Sequence, residues 1–304
     1  MGHRLRVAAA AAIVLAATSS PVAAQAFTPA KGIGSLTLAW QLVDNTGHRL
    51  SDGFLAKRGE SVTTSLLLEA EYAITDRLSA SAGIPYVFAK YTGFLPPLSR
   101  QTHDACQCWQ SAFQDFGVTA RYRLGRDTWA ITPMVRYSRP SHGYAFAGEA
   151  VVGKNLEEAQ VGVLAGARLG FLPSATAQIG YTYAFVESPL EDLSIDRSNG
   201  FVDLGYAVTR RVYVRASGVW QHTHGGVRGG SMTGMFPGEL NTPERRAQGD
   251  RLRKVHYRQV GGGLAYSMGR TDVFLSYQKY VWGRDAHDGQ VFGAGVTWYF
   301  GLPD

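Results

Sequence analysis

The sequence predicts an all-β fold, an antiparallel up-and-down barrel of about 12 strands that crosses a membrane. Three observations lead there. Apolar side chains recur at alternate positions in runs of roughly 10 to 14 residues. The connections between the runs alternate between tight and long. After the N-terminal leader, no apolar stretch reaches the ~18 residues that a spanning helix needs.

The leader comes first. "MGHRLRV" supplies Arg4 and Arg6, "AAAAAIVLAA" is a short apolar run, and "AQA" ends at Ala26. That is the pattern of a cleaved secretory signal over residues 1–26. One domain, 27–304, is then expected, exported to the outer membrane of a Gram-negative cell. It keeps 28 basic against 24 acidic side chains, with no long run of one sign. Nucleic acid is therefore excluded as an expected partner.

Turn signals fall at "TDR" (75–77), "GRD" (125–127), "LPS" (172–174), "TRR" (209–211) and "GRT" (269–271). Longer polar stretches lie near 43–61, 90–113, 139–156, 187–197, 222–254 and 283–288. The intervals hold 12 alternating runs, starting near 34, 62, 78, 114, 128, 157, 174, 198, 211, 255, 271 and 289. Each has an apolar phase: Leu36, Leu38 and Trp40 in the first, Val161, Val163, Ala165 and Ala167 in the sixth. The opposite phase holds Ser, Thr, Gln, Gly and charge. Long strands, an even count and connections of two lengths mark an outer-membrane barrel, whose apolar phase faces lipid. Lipid offers the backbone no hydrogen bonds, so such a sheet must close on itself.

Aromatic residues test the topology. With the chain starting in the periplasm, Tyr72, Tyr122, Trp129, Phe171, Tyr206, Tyr266, Trp298 and Phe300 fall at the inner end. Trp40, Tyr86, Tyr137, Tyr183, Phe185 and Trp220 fall at the outer end. Two girdles follow from one topology. Pro133 inside the fifth run resists, since a closed barrel has no edge strand to receive it; a bulge or a shifted strand boundary is expected there.

Twelve strands at ~4.8 Å spacing and ~40° tilt close at a backbone radius of roughly 12 Å. Inward positions are often small, such as Gly162, Gly166, Gly180, Gly205, Gly263 and Gly295. A passage up to roughly 10 Å wide is expected on this geometry unless a loop folds in. About seven residues precede the first strand, so no N-terminal plug domain is expected. The charged inward set is Glu69, Glu71, Asp115, Arg121, Arg136, Arg168, Asp203 and Arg215. It reads either as a structural ion-pair network or as a selectivity lining.

The seven histidines after the leader sit in long connections or at outer strand ends: His48, His103, His142, His222, His224, His256 and His287. "HDACQCWQ" adds Cys106 and Cys108, for which a disulfide is expected in an exported chain. The competing reading is a soft-metal site from His103, Cys106 and Cys108, with His222 and His224. No cofactor is expected. The basic stretch 222–254 suits membrane lipid or surface lipopolysaccharide as partner, or plain solvation. "DRSNG" (196–200) is similar to the Ser-Asn-Gly part of the outer-membrane phospholipase A motif. Asp196 stands where that family has its histidine, so Ser198 lacks the expected base and no catalytic residue is assigned.

"LEAEYAITDRLSASAGIPYVFAKY" (68–91) and "DFGVTARYRLGRDTWAITPMVRY" (115–137) resemble the MetA-pathway phenol-degradation family of outer-membrane proteins. The shared marks are the "TDRLS" turn, the "GIPY" strand end and the "DFG" opening before an "ARY" strand. The resemblance implies a transporter-like barrel for small, often aromatic or hydrophobic, solutes, with no catalytic residues. The "CQC" loop and "GLPD" after Phe300 depart from the pattern. The sequence thus leads to a passive channel for small solutes, against a closed barrel with binding loops.

Overall fold

The computed structural model describes residues 26–57, 59–93, 103–148, 150–170, 172, 174–228 and 243–302. The leader, apart from Ala26, and the girdle residue Phe171 lie outside them. The strands are β1 (Gly34–Arg49), β2 (Leu55–Ala56), β3 (Gly59–Ala73), β4 (Leu78–Gly93) and β5 (Gln110–Phe113). Next come β6 (Asp115–Tyr122), β7 (Leu124–Arg126), β8 (Trp129–Pro140), β9 (Glu158–Arg168) and β10 (Ala175–Val186). They end with β11 (Arg197–Ala207), β12 (Val212–Thr223), β13 (His256–Ser267), β14 (Thr271–Arg284) and β15 (Ala286–Phe300). Pieces β5, β6 and β7 share one stave and β2 only caps the tip of β1, which leaves 12 staves. Each pairs antiparallel with its sequence neighbour, and β15 returns to β1 from Gly34↔Phe300 to Arg49↔Ala286, closing the barrel.

Alternation decides which face is which. Leu38, Leu68, Val163, Leu204 and Leu275 stand exposed on the outside, while Thr37, Ser65, Thr63 and Thr297 are buried on the inside. Leu275 keeps 60 % of its surface open, far above a core residue, because its solvent is hydrocarbon. Tyr72, Tyr122, Trp129, Tyr206, Tyr266 and Trp298 are likewise exposed at the periplasmic end of the belt. No helix among the described residues is long and apolar enough to cross a membrane; the strands do so.

Two connections differ from the sequence reading. β1 and β3 run on past the expected boundary at 43–61, so the connection shrinks to a short tip beyond Arg49. The stretch 283–288 is no long loop. Arg284 and Ala286 are separated by Asp285 alone, which takes φ +48°. At Pro133 no bulge is found. The β8–β9 register is continuous through Pro133↔Val163. On its other side the ladder is interrupted between Arg121↔Met134 and Leu124↔Ile131, without a register shift. The N–H that proline lacks falls where pairing is already broken.

Candidate functional site

The bore is the candidate site, and its charges lie in interacting sets on staves from β3 round to β12. Arg121 on β6 pairs with Glu71 on β3, reaching across β4 where Ser79 and Ser81 are small. Arg197 on β11 pairs with Glu158 on β9, reaching across β10 beside Ala184. Arg136 lies flat over Gly117, whose missing Cβ would sit 2.7 Å from a guanidinium nitrogen, within reach of Glu69 and Asp115. Asp203 Oδ2 accepts from Arg215 Nε at 2.7 Å and Nη2 at 2.5 Å. Glu69, Glu71, Asp115, Arg121, Arg136, Asp203 and Arg215 are therefore brought into interacting sets. Arg168 is not: it ends β9 at the periplasmic rim, exposed and apart from these sets.

Sequence reasoning missed Glu158 and Arg197. Arg197 is the last residue of the stretch read as a polar connection, and Glu158 continues the inward phase of the sixth run below Gln160. Carrying the inward phase to the ends of these runs finds both.

An apolar cluster spans β1 and β12 to β15, adjoining the Asp203–Arg215 pair. Val43, Val219, Tyr257, Tyr280 and Val291 form a buried cluster with Phe201 packed on it, and Tyr257 meets Tyr280 edge to face at 5.4 Å. Many inward glycines are not open space. A Cβ at Gly180 would fall 2.1 Å from the Phe201 ring, and one at Gly295 would fall 2.4 Å from Phe274 and 2.7 Å from the Leu38 carbonyl oxygen. These glycines seat rings flat on the wall.

Both mouths are narrowed. At the periplasmic end the short segment before β1 enters the bore. Ala26 N–H donates to Gln178 Oε1 at 3.0 Å, and Thr132 Oγ1 donates to the Ala26 carbonyl at 2.6 Å. Ala26 is fully buried with Ala130 and Leu164, and Phe27 and Met134 pack against them. Ala26 is the last residue of the expected leader, so in the cleaved chain it is Phe27 that occupies this end of the bore, its ring over Gly166. A few residues suffice because the bore is narrow; no separate domain is required.

At the outer end the connection after β8 folds inward. Tyr144 packs on Val87 of β4 and on Val152 of its own connection, and Ala150 packs on Ala89 and Tyr91, with Val87, Ala89 and Tyr91 all in the inward phase of β4. Gln110 Nε2 donates to the Ala150 carbonyl at 3.0 Å. Asn155, in the left-handed region at φ +54°, donates its N–H to the Tyr144 hydroxyl at 3.0 Å. That hydroxyl donates to Asp115. Burial, then the Asp115 charge, hold the Tyr144 phenol well above its usual range. Behind it, Arg251 stacks 3.4 Å over Phe146 and donates to the Asn155 carbonyl at 3.0 Å.

Cys106 and Cys108 are joined as a disulfide, with Cα atoms 5.2 Å apart. That removes the thiolates from the metal reading with His103, and no trio of His, Cys, Asp or Glu among the described residues is placed to hold a metal. His222 and His224 do meet, ring to ring at 5.0 Å, and His222 lies 4.2 Å from His256. A second correction concerns Ser198. Its hydroxyl lies 2.6 Å from His224 Nε2 and 2.8 Å from the Tyr181 hydroxyl, so the base absent from "DRSNG" arrives from the end of the next strand. Spacing along one strand cannot reveal that.

No protein-family model matches the chain, and a search of curated proteins finds no match. Solved structures do resemble it. An outer membrane channel from Pseudomonas putida F1 aligns with TM-score 0.68 and 10% identity over 91% of this chain and 99% of that one. The NanC porin aligns with TM-score 0.51 and 12% identity over 86% and 98%. The translocator domain of autotransporter NalP from Neisseria meningitidis gives 0.51 and 13% over 90% of each. At these identities the likeness is one of architecture: this chain has the closed 12-stranded barrel fold of outer-membrane proteins.

Proposed function

We propose that the chain is an outer-membrane channel for passive passage of small solutes, with aromatic or hydrophobic ones favoured. Two of the architectural neighbours are a channel and a porin. The third is a translocator domain, so the fold alone does not choose. The observation that carries the reading is the charge lining. The paired guanidiniums keep part of their surface open: 14% for Arg121, 17% for Arg197 and 19% for Arg215. They share the bore with an apolar, aromatic cluster, a pairing suited to a ring bearing a polar group. The 68–91 and 115–137 resemblance points the same way on substrate class, and the 1–26 leader supports export to the outer membrane.

Liposome swelling with the purified, folded protein tests this. Permeation by small phenolic solutes exceeding that of equally sized sugars supports it. No permeation of either favours a closed barrel whose loops do the binding.

One contact favours a second reading. Ser198 with His224 is a hydroxyl–imidazole pair in the outward, lipid-facing phase, as an acyl hydrolase would need. Labelling by a fluorophosphonate, together with acyl release from phospholipid, both lost in Ser198→Ala, would establish it; an unlabelled, inert protein sets it aside.

A further inference from the structure

The outside of the barrel carries a basic patch that the channel reading does not use. At the outer ends of β12, β13 and β14 the register stacks three rows of outward side chains. The top row is His222–His256–Arg284 and the next is Trp220–Arg258–Trp282. The third is Gly218–Val260–Lys279. Lipid-facing positions of a barrel ordinarily reject charge, at a cost that falls away only near the interface. Three cations on adjacent strands, in the phase that carries Val260, Leu264 and Leu275 just below, therefore call for a partner.

None is found among the described residues. Arg258, Lys279 and Arg284 make no ion pair with any described residue. Asp44, in the outward phase of β1 two staves beyond β14, already accepts from Gln290 Nε2 at 3.1 Å. The guanidiniums are also pre-positioned. Arg258 lies 5.1 Å from the Trp282 ring centroid and Arg284 lies 6.0 Å from it. Such stacking holds a guanidinium in place while leaving its N–H fork free for an oxyanion. Arginine forks match phosphate oxygens in bidentate geometry. Below them the exposed aliphatic belt offers a bed for acyl chains.

We propose that this patch is a docking site for a phosphate-bearing, multiply acylated lipid of the outer leaflet. Its phosphate lies between Arg258 and Arg284 with Lys279 alongside, and its chains lie along β13 and β14. The site stands apart from the lumen, so it holds whether or not the bore conducts.

Native mass spectrometry of the detergent-solubilised, folded protein tests it, with bis-phosphorylated lipid A as probe. The second arm uses the same lipid stripped of phosphate, and the third adds inorganic phosphate as competitor. The wild type should retain the phosphorylated lipid and bind the stripped one weakly. Arg258→Gln/Arg284→Gln should lose about 30-fold in affinity, roughly fivefold per cation removed, and Lys279→Gln about fivefold. A control with equal charge loss at a periplasmic turn, Arg210→Gln/Arg211→Gln, should bind as wild type. Heat-modifiable gel migration verifies that each variant is folded. Equal retention by the double variant, equal binding of the stripped lipid, or full displacement by inorganic phosphate would each overturn the assignment.

Discussion

Removing the charge of Asp203 separates a hydrated bore from a dry one. Its Oδ2 takes both Nε and Nη2 of Arg215, so the charge centres lie about 4 Å apart. At that distance the attraction is ~1 kcal/mol in water and ~4 kcal/mol at an effective dielectric constant of 20. Stripping one partner from a fully buried pair costs ~3–5 kcal/mol, because the survivor is abandoned without solvent. Arg215 keeps 19% of its side chain open, so the released guanidinium has water to turn to. Asp203→Asn should therefore cost about 1–2 kcal/mol. With a guanidinium m-value of roughly 4 kcal/mol/M, the unfolding midpoint in lipid vesicles, followed by tryptophan fluorescence, should fall by about 0.3–0.5 M. The same variant should shift ion preference toward anions in planar bilayers, Arg215→Gln should shift it toward cations, and the double variant should return it. A loss of 3 kcal/mol or more, with ion preference unmoved, would show a dry, structural pair and refute the hydrated-bore argument.

Other perturbations probe the two mouths and the wall. Deleting Phe27–Ala30 behind an intact leader withdraws the segment from the bore, and single-channel conductance should rise at least twofold; unchanged conductance would mean the segment does not obstruct flow. The Tyr144 phenol keeps its proton more tightly folded than unfolded, so the stability it lends the inward connection is whole below pH ~10 and falls as pH rises beyond it. Hydrogen exchange across 141–157 should accelerate above pH ~10 in the wild type and show no such step in Tyr144→Phe. At Gly295 a Cβ would press on a backbone carbonyl as well as the Phe274 ring, so Gly295→Ala should destabilise by about 1–3 kcal/mol in the same unfolding assay. At Gly180 only the Phe201 ring stands in the way, and Gly180→Ala should cost less.

The sequence made the barrel legible because lipid and lumen impose opposite demands on successive residues, and a two-residue period survives in any single strand. The start of β4 at Leu78 and that of β14 at Thr271 follow from the turn residues before them. What escaped the reading depends on more than one strand. The Arg197–Glu158 and Arg121–Glu71 pairs each skip an intervening strand, so neither partner is near the other in sequence or in the nearest-neighbour ladder. Ser198 and His224 meet only because β11 and β12 adopt a particular register. Ala26 binds Thr132 and Gln178 across more than a hundred residues.

Glycine shows where a correct observation about sequence led to an incomplete inference about space. The inward glycines were read as room for a solute, and they are indeed the positions where a side chain is missing. At Gly180, Gly295 and Gly117 that room is taken by a ring or a guanidinium lying flat on the wall. Such a lining is polar and aromatic without protruding as far as upright side chains would. A bore built this way owes its width to how flat its large residues lie, which composition cannot report but register can. The width available to a solute is thus set jointly by the glycine and the ring on it, and a substitution at either should change permeation without altering the barrel's strand count.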